Sequence, residues 1–216
     1  MSRKTEAKRQ AILEMATEVF REFGFERASI AEICARLGSS KRTIYNYFAS
    51  KEELFFAVIT RSAAHEFRDI HNFIDPSLTD MAESLRNFGE KLLAFLYSPQ
   101  MIEQRHLSIS ASKQSELGRL AYEEGVLRSL RLTAESLQSA MNAGKLRQAE
   151  PFVAAQQLVA LLEAELLKAA LLQQLGEVSK ERIRTLTARA VTVFMAAYGP
   201  VDCLNRAGQP QHQPGP

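Results

Sequence analysis

The chain has 216 residues, 46% of them hydrophobic, enough to bury one full core and a smaller second one, so one or two domains are expected. Its net charge of +2 hides an asymmetry: residues 1–51 hold ten Lys or Arg against six Asp or Glu, so the basic end is expected to face a polyanion. Cys34 and Cys203 lie 169 positions apart, which leaves no paired-cysteine motif and no clustered metal site, points to a reducing cytoplasm, and implies neither metal nor cofactor.

Apolar residues recur at helical spacing along almost the whole chain, and the alternating runs that mark strands are missing. The fold class read from this is all-α, with about nine helices. A three-helix domain is expected over residues 1–51 and a helical bundle over 52–199. Residues 200–216 are too rich in Gly and Pro to offset the entropy of ordering them.

The first helix, Arg3 to Phe23, lines Ile12, Ala16, Val19, Phe20 and Phe23 along one face, and Gly24 supplies a stop. Its Glu14, Glu18 and Glu22 break any secretory apolar run. Ser29 is placed to cap a short helix from Ile30 to Leu37, with Glu32 in capping-box register. Gly38 ends that helix, and a second short helix runs from Lys41 to about Tyr47, which together make a helix-turn-helix. A longer helix opens at Ser50, with Glu52 and Glu53 at its positive end, and continues to about Ile74. Further helices are expected over Asp80 to Tyr97, Pro99 to Ala111, Ser115 to Ala143, Pro151 to Leu175 and Ser179 to Tyr198. Pro99 and Pro151 suit first turns, and Gly144 and Gly176 suit ends. The most apolar stretch, LVALLEAELLKAALL, is interrupted by Glu163, Glu165 and Lys168 and falls short of the roughly twenty apolar residues that cross a membrane.

The helix KRTIYNY turns Ile44 and, four residues on, Phe48 inward. Lys41, Arg42, Thr43, Tyr45, Asn46 and Tyr47 are left to project outward, where such donors can satisfy phosphates and base edges in a DNA major groove. A solvated basic face is the plain alternative for any short basic helix, and the surrounding sequence decides against it. ASIAEICARLGSSKRTIYNYFASKEELF, with the amphipathic helix before it, resembles the DNA-binding domain of TetR-type transcriptional regulators over about residues 8–59. The shared pattern is a hydroxyl-capped helix, a glycine turn, a short helix ending in Tyr-x-Tyr-Phe, and Ser-Lys-Glu-x-Leu. The C-terminal half is similar to the AefR-like subgroup in helical layout.

The resemblance implies that Ser29 caps the supporting helix beside a phosphate. It implies that Ser40, Lys41, Arg42, Thr43 and Asn46 face base edges or neighbouring phosphates, and that Tyr45, Tyr47 and Lys51 grip the backbone. Ser39 stands where the family usually has an apolar Val, and Arg42 where Gly is frequent. A cytoplasmic homodimer is implied, acting as a repressor on a palindromic double-stranded DNA operator and released by a small-molecule effector.

One short helix reads too few base pairs, so two are needed, related by a twofold axis. The final helix offers the contact: Ile183, Leu186, Ala190, Val193 and Ala197 form one apolar row, while Thr187, Val191, Phe194 and Tyr198 form another. Leu161 and Glu165 on the helix before it complete the candidate interface. For the effector, a pocket among the bundle helices is the default, with His65, Phe88, Phe95, Met101, Tyr122 and Glu163 as candidates.

Two rival readings are weaker. A metal-dependent enzyme built on HEFRD has His65 and Asp69 one turn apart but lacks the second histidine of H-E-x-x-H, and His106 in HLSIS has no nucleophile elbow. An architectural DNA-binding protein would not require about 140 further helical residues.

Overall fold

The computed structural model describes residues 3–71, 73–75, 80–112 and 117–200, with the side chains of 3, 4, 62–68 and 111 excepted. Its α-helices in chain order are α1 (Arg3–Arg27), α2 (Ile30–Leu37), α3 (Lys41–Tyr45), α4 (Lys51–His71), α5 (Met81–Leu96), α6 (Pro99–Ala111), α7 (Leu117–Leu120), α8 (Arg128–Asn142), α9 (Pro151–Glu163), α10 (Leu167–Leu171) and α11 (Lys180–Tyr198). A seven-residue π-helix, Ala121–Leu127, joins α7 to α8, and there is no strand among the described residues. None of these helices is long and apolar enough to cross a membrane. By packing, the chain divides into two units, Met1–Glu66 with Pro99–Gly125, and Phe67–Ser98 with Val126–Pro216.

In the first unit α1 buries Ile12, Leu13, Ala16, Val19 and Phe20. Gly24 breaks this helix rather than ending it: at φ 72°, a conformation open to glycine at little cost, the chain turns and then makes one more helical turn to Arg27. Phe25 is buried as a result. Its ring lies 6.2 Å from Phe20 and 5.0 Å from Phe55, and Phe20 and Phe55 meet edge to face at 5.0 Å. Phe23, expected in the buried stripe, is only half-buried, with the Arg36 guanidinium 5.5 Å from its ring centre. Ile30, Ile33, Ile44, Phe48, Leu54, Phe55 and Val58 complete the core, and Cys34 and Leu107 of α6 pack against it. At the start of α4, Ser50 Oγ accepts the Glu53 N–H at 3.1 Å while the Glu53 carboxylate accepts the Ala49 N–H at 2.7 Å, a reciprocal cap.

The second unit is a bundle in which α11 packs on α5 and α9, and α8 packs on α9. Phe88, Leu92, Leu93, Leu137, Leu158, Leu162 and Phe194 fill its centre. Gly89 of α5 sits at a close crossing, where a Cβ would stand 2.7 Å from both Leu162 Cδ2 of α9 and Thr187 Cγ2 of α11. Asp80 caps α5 by accepting the Ala82 and Glu83 N–H groups, and Ser179 caps α11 by accepting from Arg182. After α8, Gly144 at φ 70° closes the helix as expected, and the Lys145 N–H donates back to the Ala140 carbonyl at 2.9 Å.

Two long helices expected from the pattern are divided. The one placed over Ser115 to Ala143, whose start lies outside the described residues, carries the π-helical segment at Ala121–Leu127. The one placed over Pro151 to Leu175 breaks at Ala164–Leu166 and ends at Leu171. Gln173, at φ 55°, takes the left-handed position that Gly176 was expected to supply. Its N–H donates to the Ala170 carbonyl, and that of Gln174 donates to the Ala169 carbonyl at 2.8 Å. Residues 201–216, which hold Cys203 and most of the expected unstructured tail, lie outside the described residues.

Candidate functional site

The α2–turn–α3 segment is built from local chemistry. Ser29 Oγ accepts the Glu32 N–H at 3.1 Å and starts α2. The Glu32 carboxylate does not return to the cap as the capping-box pattern suggests. It accepts Arg36 Nε at 2.7 Å instead, and Arg36 Nη1 reaches Glu22 of α1 at the same distance. These hydrogen bonds raise the Arg36 pKa and hold the Glu22 carboxyl below its usual range, so the pair stays ionised and ties α1 to α2. Gly38, at φ 61° and ψ 41°, ends α2, and the Ser39 N–H donates to the Cys34 carbonyl at 3.0 Å. Ser39, in place of an apolar turn residue, is half-buried.

Ser40 caps α3, its Oγ accepting the Thr43 N–H at 3.1 Å and lying 2.9 Å from Thr43 Oγ1. Ile44 and Phe48 anchor the segment as expected, both fully buried. The helix is shorter than expected, closing at Tyr45 with Asn46 as its cap. Lys41, Arg42, Tyr45 and Asn46 are exposed, whereas Thr43 and Tyr47 are half-buried. Neither Lys41 nor Arg42 has an ion-pair partner among the described residues, so both cations are available to an external anion. Lys51 differs: its ammonium donates to the Glu26 carbonyl at 3.3 Å and lies 4.3 Å from the centre of the Phe25 ring. Arg9, which sequence reasoning passed over, rests 5.1 Å above the Phe48 ring beneath this segment.

The candidate effector residues belong to both units. Phe88 and Phe95, one face of α5, are buried in the second unit, where the His71 ring meets Phe88 at 5.7 Å. The Glu163 carboxylate accepts the Tyr97 hydroxyl at 2.9 Å. Met101 is half-buried and Tyr122 is 55% exposed, both in the first unit. The His65 side chain lies outside the described residues.

On α11, Thr187, Val191, Phe194 and Tyr198 face the bundle. Of the second row, Ile183, Leu186 and Ala190 are buried within the protomer, while Val193 is 54% exposed and Ala197 is exposed too. Leu186, Ala190 and Val193 line a groove of about 150 Å³ together with Leu161, Leu162, Ala164, Glu165 and Arg189. Arg189 Nη1 bridges both Glu165 carboxylate oxygens at 3.1 Å, across 24 residues of sequence and therefore without a local signal.

Residues 12–58 match the family model described as bacterial regulatory proteins, tetR family, and residues 83–200 match that of the AefR-like transcriptional repressor C-terminal domain. The chain is 33% identical over 131 residues to the HTH-type transcriptional repressor NicS of Pseudomonas putida, an overlap of 56% of this chain and 59% of that protein. To the HTH-type transcriptional regulator UidR of Escherichia coli it is 31% identical over 127 residues, 51% of this chain and 64% of that protein. It therefore spans about three-fifths of the length of these relatives. Among solved structures, a chain from Mesorhizobium loti assigned to the TetR-family transcriptional regulators matches with a TM-score of 0.76 at 29% identity, over 92% of this chain and 100% of that one. The flavonoid-responsive regulator FrrA matches with a TM-score of 0.64 at 26% identity, over 91% and 99%.

Proposed function

The chain belongs to the TetR family of transcriptional regulators, with an AefR-like C-terminal domain, and from that premise we propose that it is a dimeric, ligand-responsive DNA-binding repressor. The observation that carries the reading is α3 itself: five residues pinned from below by Ile44 and Phe48, with Lys41, Arg42, Tyr45 and Asn46 exposed above. Residues 1–51 serve as the DNA-binding domain. Lys41, Arg42 and Asn46 read base edges. Ser29, Ser40, Thr43, Tyr45, Tyr47 and Lys51 hold the phosphate backbone and set register.

Residues 52–199 bind the effector and pair the protomers. The α9–α11 groove from Leu161 to Val193 takes the same surface of a second copy, which gives two reading helices and a palindromic operator. An effector held by residues among His65, Phe88, Phe95, Met101, Tyr122 and Glu163 favours a spacing of those helices that the operator does not accept. Flat phenolic compounds are the first class to try, given the similarity to a flavonoid-responsive regulator. A cytoplasmic protein follows from this role. The test is binding of the purified chain to DNA upstream of its own coding sequence, with and without candidate ligands. Uniformly weak binding that no sequence improves rejects the reading.

A further inference from the structure

α6 carries two polar side chains that the fold buries and leaves unsatisfied. Gln104 is 9% exposed and Ser108 7% exposed, and among the described residues neither Gln104 Oε1 nor Ser108 Oγ has a hydrogen-bond partner. Such groups are costly to bury, and native proteins rarely leave them unpaired. The two sit four residues apart on one face of the helix, where side chains approach to within about 5 to 6 Å at Cβ, so both tips can converge on one atom. Leu107 beside them packs against the core of the N-terminal helices, and Met101 lies three residues before Gln104. α7 closes over the far end of the pair, where a Cβ at Gly118 would stand 2.6 Å from Ser112 Cβ and 3.7 Å from the Ser108 carbonyl oxygen.

We propose that Gln104 and Ser108 are the polar contact of the effector site and that the effector is a largely apolar molecule bearing a hydroxyl group. The chemistry of the pair selects this class. Gln104 Oε1 can only accept a hydrogen bond, and Ser108 Oγ can donate one. A single hydroxyl oxygen, donating to the first and accepting from the second, completes both. Because Leu107 stands beside the pair, an effector seated there bears on the packing of α6 against the DNA-binding core. This assignment rests on the regulator reading above and gives its effector a chemical class and a contact.

The test uses the full chain and two matched probes, a monohydroxyflavone and its methyl ether, titrated calorimetrically into wild type, Ser108→Ala and Gln104→Leu. The wild type should bind the free hydroxyl about tenfold more tightly than the ether, because only the hydroxyl can donate to Gln104 Oε1; Gln104→Leu should bind the two probes alike, and Ser108→Ala, which loses the donor to either oxygen, should weaken both and keep the preference. Should Gln104→Leu fail to fold by circular dichroism, the weakening of both probes by Ser108→Ala decides alone. A preference that survives in folded Gln104→Leu, a Ser108→Ala variant that weakens neither probe, or a wild type that binds neither probe, overturns the assignment. Operator binding without ligand, measured on the same samples, reports separately on the regulator reading. Retention there alongside a lost assignment shows a regulator whose effector is held elsewhere.

Discussion

The Lys51 ammonium lies 4.3 Å from the centre of the Phe25 ring and donates to the Glu26 carbonyl. The residue assigned to grip a phosphate thus also ties the start of α4 to the last turn of α1. Lys51→Ala should therefore fail in two separable ways. Operator affinity should fall for all sequences alike, with the salt slope reduced by about one per contact. Stability should fall by about 0.5 to 1 kcal/mol through the lost ring contact. Salt-dependent titrations and urea unfolding measure the two losses. An altered sequence preference with an unchanged slope would remove Lys51 from the backbone contacts.

Lys41, Arg42 and Asn46 are exposed and, on the present assignment, read bases. Replacing any base-reading member by Ala should relax discrimination at one base pair per half-site by about 1 to 3 kcal/mol and leave other positions unchanged. Titration of each variant against a set of single-base operator changes checks this. Equal weakening at every position would assign that side chain to phosphate.

Gly89 and Thr187 make opposite predictions at one crossing. Ala is the better helix former by about 1 kcal/mol, but its Cβ at 89 would meet methyls of two buried side chains at 2.7 Å, and overpacking of that kind costs about 1 to 3 kcal/mol. Gly89→Ala should be destabilising on balance. Thr187→Val keeps the shape and removes a fully buried hydroxyl whose oxygen has no partner among the described residues, so it should stabilise by about 1 kcal/mol. Thermal unfolding of both variants settles the signs.

Among the apolar α11 residues on the α9–α11 groove, Val193 is exposed, whereas Ala190 is only 5% exposed in the protomer. A charge at Ala190 would disturb folding and pairing together, so Val193→Glu is the cleaner probe of the dimer. It should cost about 3 to 5 kcal/mol of association by burying an unpaired carboxylate, and operator binding should go with it, while helicity is kept. Light scattering that still reports a dimer would move the interface elsewhere.

What was legible in the sequence is what local chemistry decides. Ser29, Ser50, Asp80 and Ser179 were readable as helix starts because a hydroxyl or carboxylate beside orphan amides is a short-range cue. Gly38 and Gly144 were readable as ends for the same reason, and both take positive φ. The break at Ala164–Leu166 has no Pro or Gly to announce it, and Gln173 took a conformation that the pattern assigned to Gly176. The exposure of Lys41 and Arg42 was readable from their spacing around Ile44, whereas their assignment to DNA came from the family resemblance. The hold of Phe25 on Lys51, the burial of Ala190 and the orphaned pair on α6 arise from tertiary neighbours, which periodicity does not encode.

The π-helical segment at Ala121–Leu127 also changes what the gene can tolerate. A π turn houses about one more residue than the α turn it replaces, so the segment behaves as a one-residue insertion already absorbed by the helix. Removing Gly125 should restore ordinary α geometry there and leave Leu130, Thr133 and Leu137 on their present face of α8. Removing a residue from within α8, such as Gln138, would swing everything after it by about 100° and carry Ala140 and Met141 out of the core. Deletion variants at the two positions, compared by thermal unfolding, should differ accordingly. Equal damage would show that the extra residue has become indispensable. Length variation among descendants of this chain would then concentrate at residues 121–127, the part of α7–α8 where the reading frame of its faces is already slack.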